Sequence, residues 1–254
     1  MSRNAAWDVA RVAHGWRMGG AWAGGAGMLG PGSVETAAGE LPPMNRGELD
    51  LDLNERALQV APRLLGSLLT SMIEGERVTV RITEVEAYEG ADDPASHAYR
   101  GPTARNAVMF GPPGRLYVYR HLGLHHCANV VVGPEGVASA VLIRAGEVVD
   151  GVEIAWRRRS QHGVCRSERD LARGPARLAV ALGLTREQNG VAFDESGLLW
   201  LRRHAGHDHE DGPQGDPVPA VASGPRVGIS GSGPDAANRP WRFWQAGSRY
   251  VSSR

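Results

Sequence analysis

Residues 78–100 read VTVRITEVEAYEGADDPASHAYR, and the reading of this stretch decides the architecture. It is expected to be a strand followed by a short acidic loop. Side chains on a strand alternate between faces, so Val78, Val80, Ile82, Glu84 and Glu86 are expected on one side and Thr79, Arg81, Thr83 and Val85 on the other. An apolar face would then end in carboxylates. A buried carboxylate costs free energy unless it is paired or put to use, which singles out Glu84 and Glu86. Tyr88 comes two residues after Glu86, and the loop beyond carries His97 and Tyr99. A carboxylate on a rigid strand, with aromatic and imidazole groups on the adjoining loop, is a workable plan for a catalytic pocket.

Before this strand, ALQVAPRLLGSLL (57–69) spaces its apolar residues as a short amphipathic helix interrupted by Pro62 and Gly66. After the loop, a Pro-Pro-Gly turn precedes Leu116–Tyr119, and Gly123 separates that run from Cys127–Val132. The pair reads as a β-hairpin whose tip carries Arg120, His121, Leu122 and Leu124. VASAVLIRAGEVV (137–149) reads as a buried strand ending at Arg144, whose guanidinium then needs an anionic or carbonyl partner. Helices are expected over 150–159 and 167–184, with Ser167 as a cap and Pro175 in a first turn. The helix start at Gly174 and Pro175 would bring backbone amides within reach of a phosphate, flanked by Arg173 and Arg177. Another strand is expected over 198–201, and short strands and turns close the chain.

The chain has 254 residues, enough to bury a sizeable core. Its formal charges balance, but every basic residue is arginine and there is no lysine, which excludes lysine Schiff-base, P-loop and pyridoxal-phosphate chemistry. Between Arg100 and Arg177 arginines outnumber acids about two to one, whereas acids dominate from Glu48 to Asp93, so one surface is expected to face an anion. Cys127 and Cys165 make no disulfide framework, which points to a reduced cytoplasmic protein. No apolar run approaches the roughly 20 residues of a membrane span. Residues 1–47, Gly- and Ala-rich around MGGAWAGGAGMLGPGS, read as a disordered extension or as sequence preceding a true start at Met44, the second reading being preferred. The domain is then 48–254.

Seven blocks occur in an informative order: EVEAYEGADDPASHAYRG, PTARNAVMF, GRLYVYRHLGLHHCANVV, VLIRAGEVVDG, RGPARLAVALGL, GPRVGIS and PWRFW. On these blocks, spanning roughly Leu53 to Val251, the chain resembles the alkyladenine (3-methyladenine) DNA glycosylases. The resemblance implies a mixed α/β (α+β) single domain, with a mostly antiparallel curved sheet flanked by helices and a protruding β-hairpin, and with a loop insertion at about 204–219. It implies a monofunctional enzyme that flips an alkylated or deaminated purine out of double-stranded DNA and hydrolyses its N-glycosyl bond. With no lysine available, an abasic site would be left. Glu86 would be the general base, with its water also held by Arg144 and the main-chain carbonyl of Val227. Tyr88, His97 and Tyr119 would form the base pocket, and Asn129 would crowd the 2-amino group of guanine. Leu122 stands where the best-known members carry an intercalating tyrosine. Arg105, Asn106, Arg173 and Arg177 are the candidates for the DNA backbone. No cofactor or metal is implied, and a monomer at the nucleoid is expected.

Several residues have structural readings beside the functional ones. Glu84 is expected to be an arginine partner, Tyr117 to point away from Tyr119 into the core, and Arg157, Arg158 and Arg159 to form a solvated helix face. His125, His126 and Cys127 are metal-like only in composition, and the best metal rival is the loop with His204, His207, Asp208 and His209. A catalytically idle nucleic-acid-binding module and a metal-dependent hydrolase built on that loop are the two competing readings.

Overall fold

Strand β2 (Glu76–Tyr88) is the spine of the fold. The computed structural model describes residues 51–194, 197–202, 220–229 and 233–252. The expectations for 1–47 and for the loop at 204–219, including His204, His207, Asp208 and His209, lie outside the described residues. One edge of β2 pairs along most of its length with β5 (Ala140–Asp150). The other edge is shared, first by β1 (Leu68–Ile73) and then, from Glu84 to Glu86, by β8 (Arg242–Gln245). Strands β3 (Leu116–His121) and β4 (His125–Val131) extend the sheet beyond β5, β6 (Leu199–Arg202) pairs with β1, and β7 (Val221–Gly224) pairs with β8. All these pairings are antiparallel, and the sheet is curved. Helices α1 (Ala57–Arg63), α2 (Val152–Ser160), α3 (Pro175–Leu182) and the short α4 (Pro234–Asn238) complete a mixed α/β domain. Among the described residues no helix is long and apolar enough to cross a membrane.

The simple alternation expected for β2 does not hold along its whole length. The β2–β5 register shifts between Ile82 and Glu84 and again between Glu84 and Val85. Thr83 is the unpaired extra residue of β2, and Arg144 is skipped on β5. An inserted residue reverses the inward and outward phase of a strand. Val78, Val80 and Ile82 face the main core before the bulge, whereas Val85 and Ala87 face it afterwards. Glu84 and Glu86 therefore leave the apolar face for the opposite one. That face is also closed, so both carboxylates are completely buried.

Other boundaries moved for local reasons. The helix expected over 57–69 ends at Arg63, because Pro62 and the left-handed Gly66 (φ +86°) turn the chain into β1. The helix expected over 167–184 is divided into a single 3-10 turn at Glu168–Asp170, which Ser167 precedes without capping through its side chain, and α3, which begins at Pro175 after Gly174 (φ +129°). The strand expected to end at Arg144 continues to Asp150, placing Arg144 mid-strand at the bulge. The face formed by Arg157, Arg158 and Arg159 is not uniformly solvated. Arg157 pairs with Glu76, Arg158 donates to the Ile73 and Ala181 carbonyls at 3.1 and 3.2 Å, and Arg159 is buried.

Candidate active site

Beyond the bulge, Glu86 and Tyr88 of β2 face Tyr117 and Tyr119 of β3, Cys127 and Asn129 of β4, and Leu142 and Arg144 of β5 across a cavity of about 430 Å³. Loops close it, with His97 on one side, Pro175 at the start of α3 on another, and Val227 to Ile229 on a third. Every strand contributes residues two apart, as the period of a pleated sheet requires.

Glu86 is held by two hydrogen bonds and an ion pair. The Val227 amide donates to Oε1 at 2.8 Å, the Tyr88 hydroxyl donates to Oε2 at 2.9 Å, and Arg144 Nη1 pairs with Oε1 at 3.2 Å. A carboxylate has about four lone-pair sites, so this arrangement leaves capacity to accept from a water in the cavity. Burial, and then the Glu86 carboxylate, push the Tyr88 phenol well above its ordinary value, so it stays protonated and able to donate. Burial opposes the Arg144 charge, but Glu86 and Glu84 more than offset it and the guanidinium stays protonated.

Glu84, one pleat back, has a different environment. Its Oε1 accepts from Arg144 Nε at 3.0 Å, Arg242 Nε at 2.6 Å and Ser252 Oγ at 3.0 Å, and its Oε2 accepts from the Ser252 amide at 2.6 Å. It is the arginine partner expected, and its role is to fix Arg144. Arg144 thus bridges the two carboxylates, of which only Glu86 lines the cavity.

The aromatic side of the cavity differs from the sequence expectation at one residue. Tyr117 does not point away from Tyr119: residues two apart on a strand share a face, and the two rings stack at 5.8 Å with 29° between planes. The Tyr117 hydroxyl lies 3.1 Å from His97 Nδ1, and the His97 ring meets Tyr119 edge-on at 4.4 Å. Asn129 donates from Nδ2 to the Tyr117 carbonyl at 3.0 Å, which fixes the orientation of its amide in the pocket wall. Burial holds the Tyr119 and Tyr117 phenols above their ordinary range and keeps the Cys127 thiol neutral.

Residues 52–249 match the methylpurine-DNA glycosylase (MPG) family. The chain belongs to that family. It is a monofunctional DNA glycosylase of base-excision repair, a hydrolase of N-glycosyl bonds. Its relatives include proteins named "Putative 3-methyladenine DNA glycosylase" from Streptomyces avermitilis, 50% identical over 74% of this chain and 82% of the relative. The protein of that name from Leifsonia xyli subsp. xyli is 50% identical over 77% and 87%. The one from Mycobacterium tuberculosis is 45% identical over 83% and 93%.

The remaining predicted site residues of the glycosylase, Arg105, Asn106, Leu122, Arg173 and Arg177, do not line the cavity. Leu122 and Leu124 project from the three-residue turn between β3 and β4, 80% and 72% exposed, with Leu122 in a left-handed backbone (φ +49°) that is uncommon for a leucine. Arg120 and His121, expected at the tip, belong to β3, and His121 lines the cavity. Arg105 reaches the hairpin by donating to the Arg120 carbonyl at 3.2 Å. Arg173 and Arg177 lie beside Pro175 and share Asp170 at 3.6 and 3.4 Å. Asn106 is buried, and its amide is occupied within its own loop. It accepts from the Thr103 amide at 2.6 Å and donates to the His97 and Gly101 carbonyls at 2.9 and 3.1 Å. A contact from this side chain to DNA would have to break those bonds. The sequence reading named Tyr117, His121, Cys127 and Pro175 but not as cavity residues: it assigned Tyr117 to the core, His121 to the hairpin tip, Cys127 to packing and Pro175 to a helix start, whereas all four line the cavity. Among the described residues no group of three or more His, Cys, Asp or Glu is placed to hold a metal.

His97 gives this site a pH signature. Burial, with Arg105 and His121 adding to it, holds its imidazole below the ordinary 6.5. The unfolded chain then takes up a proton near pH 6.5 that the native protein takes up only at lower pH. The stability contributed by a neutral His97 is therefore complete above that pH and is lost as pH falls below it. The expected result is a melting temperature that falls less steeply from pH 7 to pH 5 in His97→Gln than in the native protein. Equal slopes would assign the acid loss to other groups.

Proposed function

We propose that the glycosylase swings a damaged purine out of double-stranded DNA into the cavity between Tyr88 and the His97–Tyr119 wall, and that Glu86 activates the water that displaces it. The observation that carries this reading is the contrast between the two buried carboxylates. Glu84 is tied to Arg144, Arg242 and Ser252 away from the cavity, whereas Glu86 lines the cavity and is held there by Val227, Tyr88 and Arg144. Hydrolysis of an N-glycosyl bond passes through an oxocarbenium-like sugar. A fixed anion both takes the water's proton and stabilises the positive charge developing at the sugar carbon. Arg144 and the Val227 carbonyl complete the water's seat.

A purine between aromatic rings gains roughly 1–3 kcal/mol of stacking, and more attraction where alkylation makes it cationic. The substrates are accordingly alkylated and deaminated purines of the 3-methyladenine type, with Asn129 crowding the 2-amino group of normal guanine. Arg105, Arg173 and Arg177 contact the DNA backbone around the mouth, and Asn106 supports the loop that presents His97. The acting unit is a monomer, working on the nucleoid in the cytoplasm over its 48–254 domain.

Release of 3-methyladenine and hypoxanthine from a duplex oligonucleotide tests the reading. Base release should persist in EDTA, and the product strand should break only after alkali, since no lysine can drive elimination. Loss of activity in EDTA would favour a metal-dependent hydrolase instead.

Leu122 fills the gap left by the flipped nucleotide. Leucine is an adequate wedge between base steps but offers less stacking surface than an aromatic ring. Leu122→Tyr should therefore dissociate from abasic DNA more slowly than the native protein, by roughly tenfold for about 1.4 kcal/mol of added stacking. Equal off-rates would remove Leu122 from the interface.

A further inference from the structure

Behind Tyr88, on the side away from the cavity, lies a buried ion pair that the catalytic scheme does not use. The Arg226 guanidinium carbon is 4.6 Å from the Tyr88 ring centroid and 5.0 Å from that of Trp241. Tyr88 lines the cavity and Arg226 does not, so the arginine covers the ring's rear face. Its Nη1 donates to Asp93 Oδ2 at 2.5 Å and to the Ala87 carbonyl at 2.8 Å, and its Nη2 donates to Asp93 Oδ1 at 2.7 Å. Both side chains are fully enclosed. A second arginine, Arg239, also lies over the Trp241 ring, 4.5 Å from its centroid.

A cation on one face of an aromatic ring draws on the same π electrons that would attract a cation on the other, and the two like charges repel through the ring. An unpaired arginine here would therefore penalise a cationic purine stacked on the front of Tyr88 and leave a neutral purine nearly unaffected. The bidentate carboxylate cancels most of that charge as seen from the cavity.

We propose that the Asp93–Arg226 pair sets the base specificity of the glycosylase, its near-neutrality behind Tyr88 allowing one pocket to take both cationic alkylpurines and neutral deaminated ones. This rests on the reading that the flipped base stacks on Tyr88. Arg226 and Asp93 touch no substrate and are positioning residues, acting through the electrostatics of the Tyr88 ring.

The test is single-turnover release of 3-methyladenine, which is cationic in DNA and lacks a 2-amino group, and of hypoxanthine, which is neutral, from otherwise identical duplexes. Both are measured on one preparation of each variant, so the fraction of folded enzyme cancels from the ratio of the two rates, and normalising to the native ratio removes the intrinsic reactivity of each lesion. Asp93→Asn leaves the arginine unpaired and should lower the cationic-to-neutral ratio on the order of tenfold. Arg226→Gln should raise it, and the double variant Asp93→Asn with Arg226→Gln, neutral again, should return it to within about threefold of native. The proposal is overturned by variants that slow both bases equally, and also by a set in which none of the three yields active enzyme, which would give the pair a purely structural role. Native protein that released neither base would instead refute the stacking scheme on which the proposal rests.

Discussion

Glu86→Gln should reduce base release by about 10²–10⁴-fold, the range associated with loss of a general base, while leaving affinity for lesion-containing duplex within about threefold of native. The glutamine keeps the size of the side chain and an oxygen able to accept from the Val227 amide, which lies 2.8 Å from Glu86 Oε1. The loop carrying Val227 therefore has no reason to move. What is lost is the negative charge and the proton acceptor, both needed only as the sugar becomes cationic, so the effect belongs to the chemical step rather than to binding. Single-turnover release, paired with a gel-shift titration, separates the two. Native rates in this variant would remove Glu86 from the chemical step.

The second large effect is expected in stability, at Glu84. Glu84→Ala removes the common acceptor of Arg144, Arg242 and the Ser252 amide and hydroxyl from a fully buried position. Two buried guanidinium groups lose a partner at once, a change that typically costs about 3–5 kcal/mol. The loss should appear as a lower urea midpoint with cooperative unfolding preserved. Glu84→Gln, which keeps one acceptor, should fold with a smaller loss and retain a substantial share of base release. The two glutamine variants together make a crossed test. Chemistry lost at Glu84 with stability unchanged, and the reverse at Glu86, would exchange the roles assigned to these carboxylates.

The two glutamates show how far a sequence can be read. Their type and spacing marked them as costly to bury, and both are buried. Their division of labour was legible only in part. Glu84 was read as an arginine partner from its strand context, and Glu86 as the base from a family resemblance. Neither inference contained Arg242, Ser252 or the Val227 amide, which lie 158, 168 and 141 residues further along the chain from the glutamates they contact. The hairpin was legible because glycine and alternating β-branched residues specify it locally. The error at Tyr117 was one of counting along a strand. The burial of Asn106 was different, because a polar residue in a loop gives no sign of whether its amide faces DNA or its own backbone.

Local chemistry in the chain was thus sufficient to establish an extended carboxylate-bearing strand, a glycine-tipped hairpin and the absence of any lysine to carry Schiff-base catalysis. The tertiary structure decided which face those carboxylates occupy. A period of two predicts facing only while pairing stays in register, and the bulge at Thr83 breaks it by one residue. That shift, set by how β2 meets β5 and β8 and not by its own sequence, turns Glu84 toward two arginines and Glu86 toward the cavity.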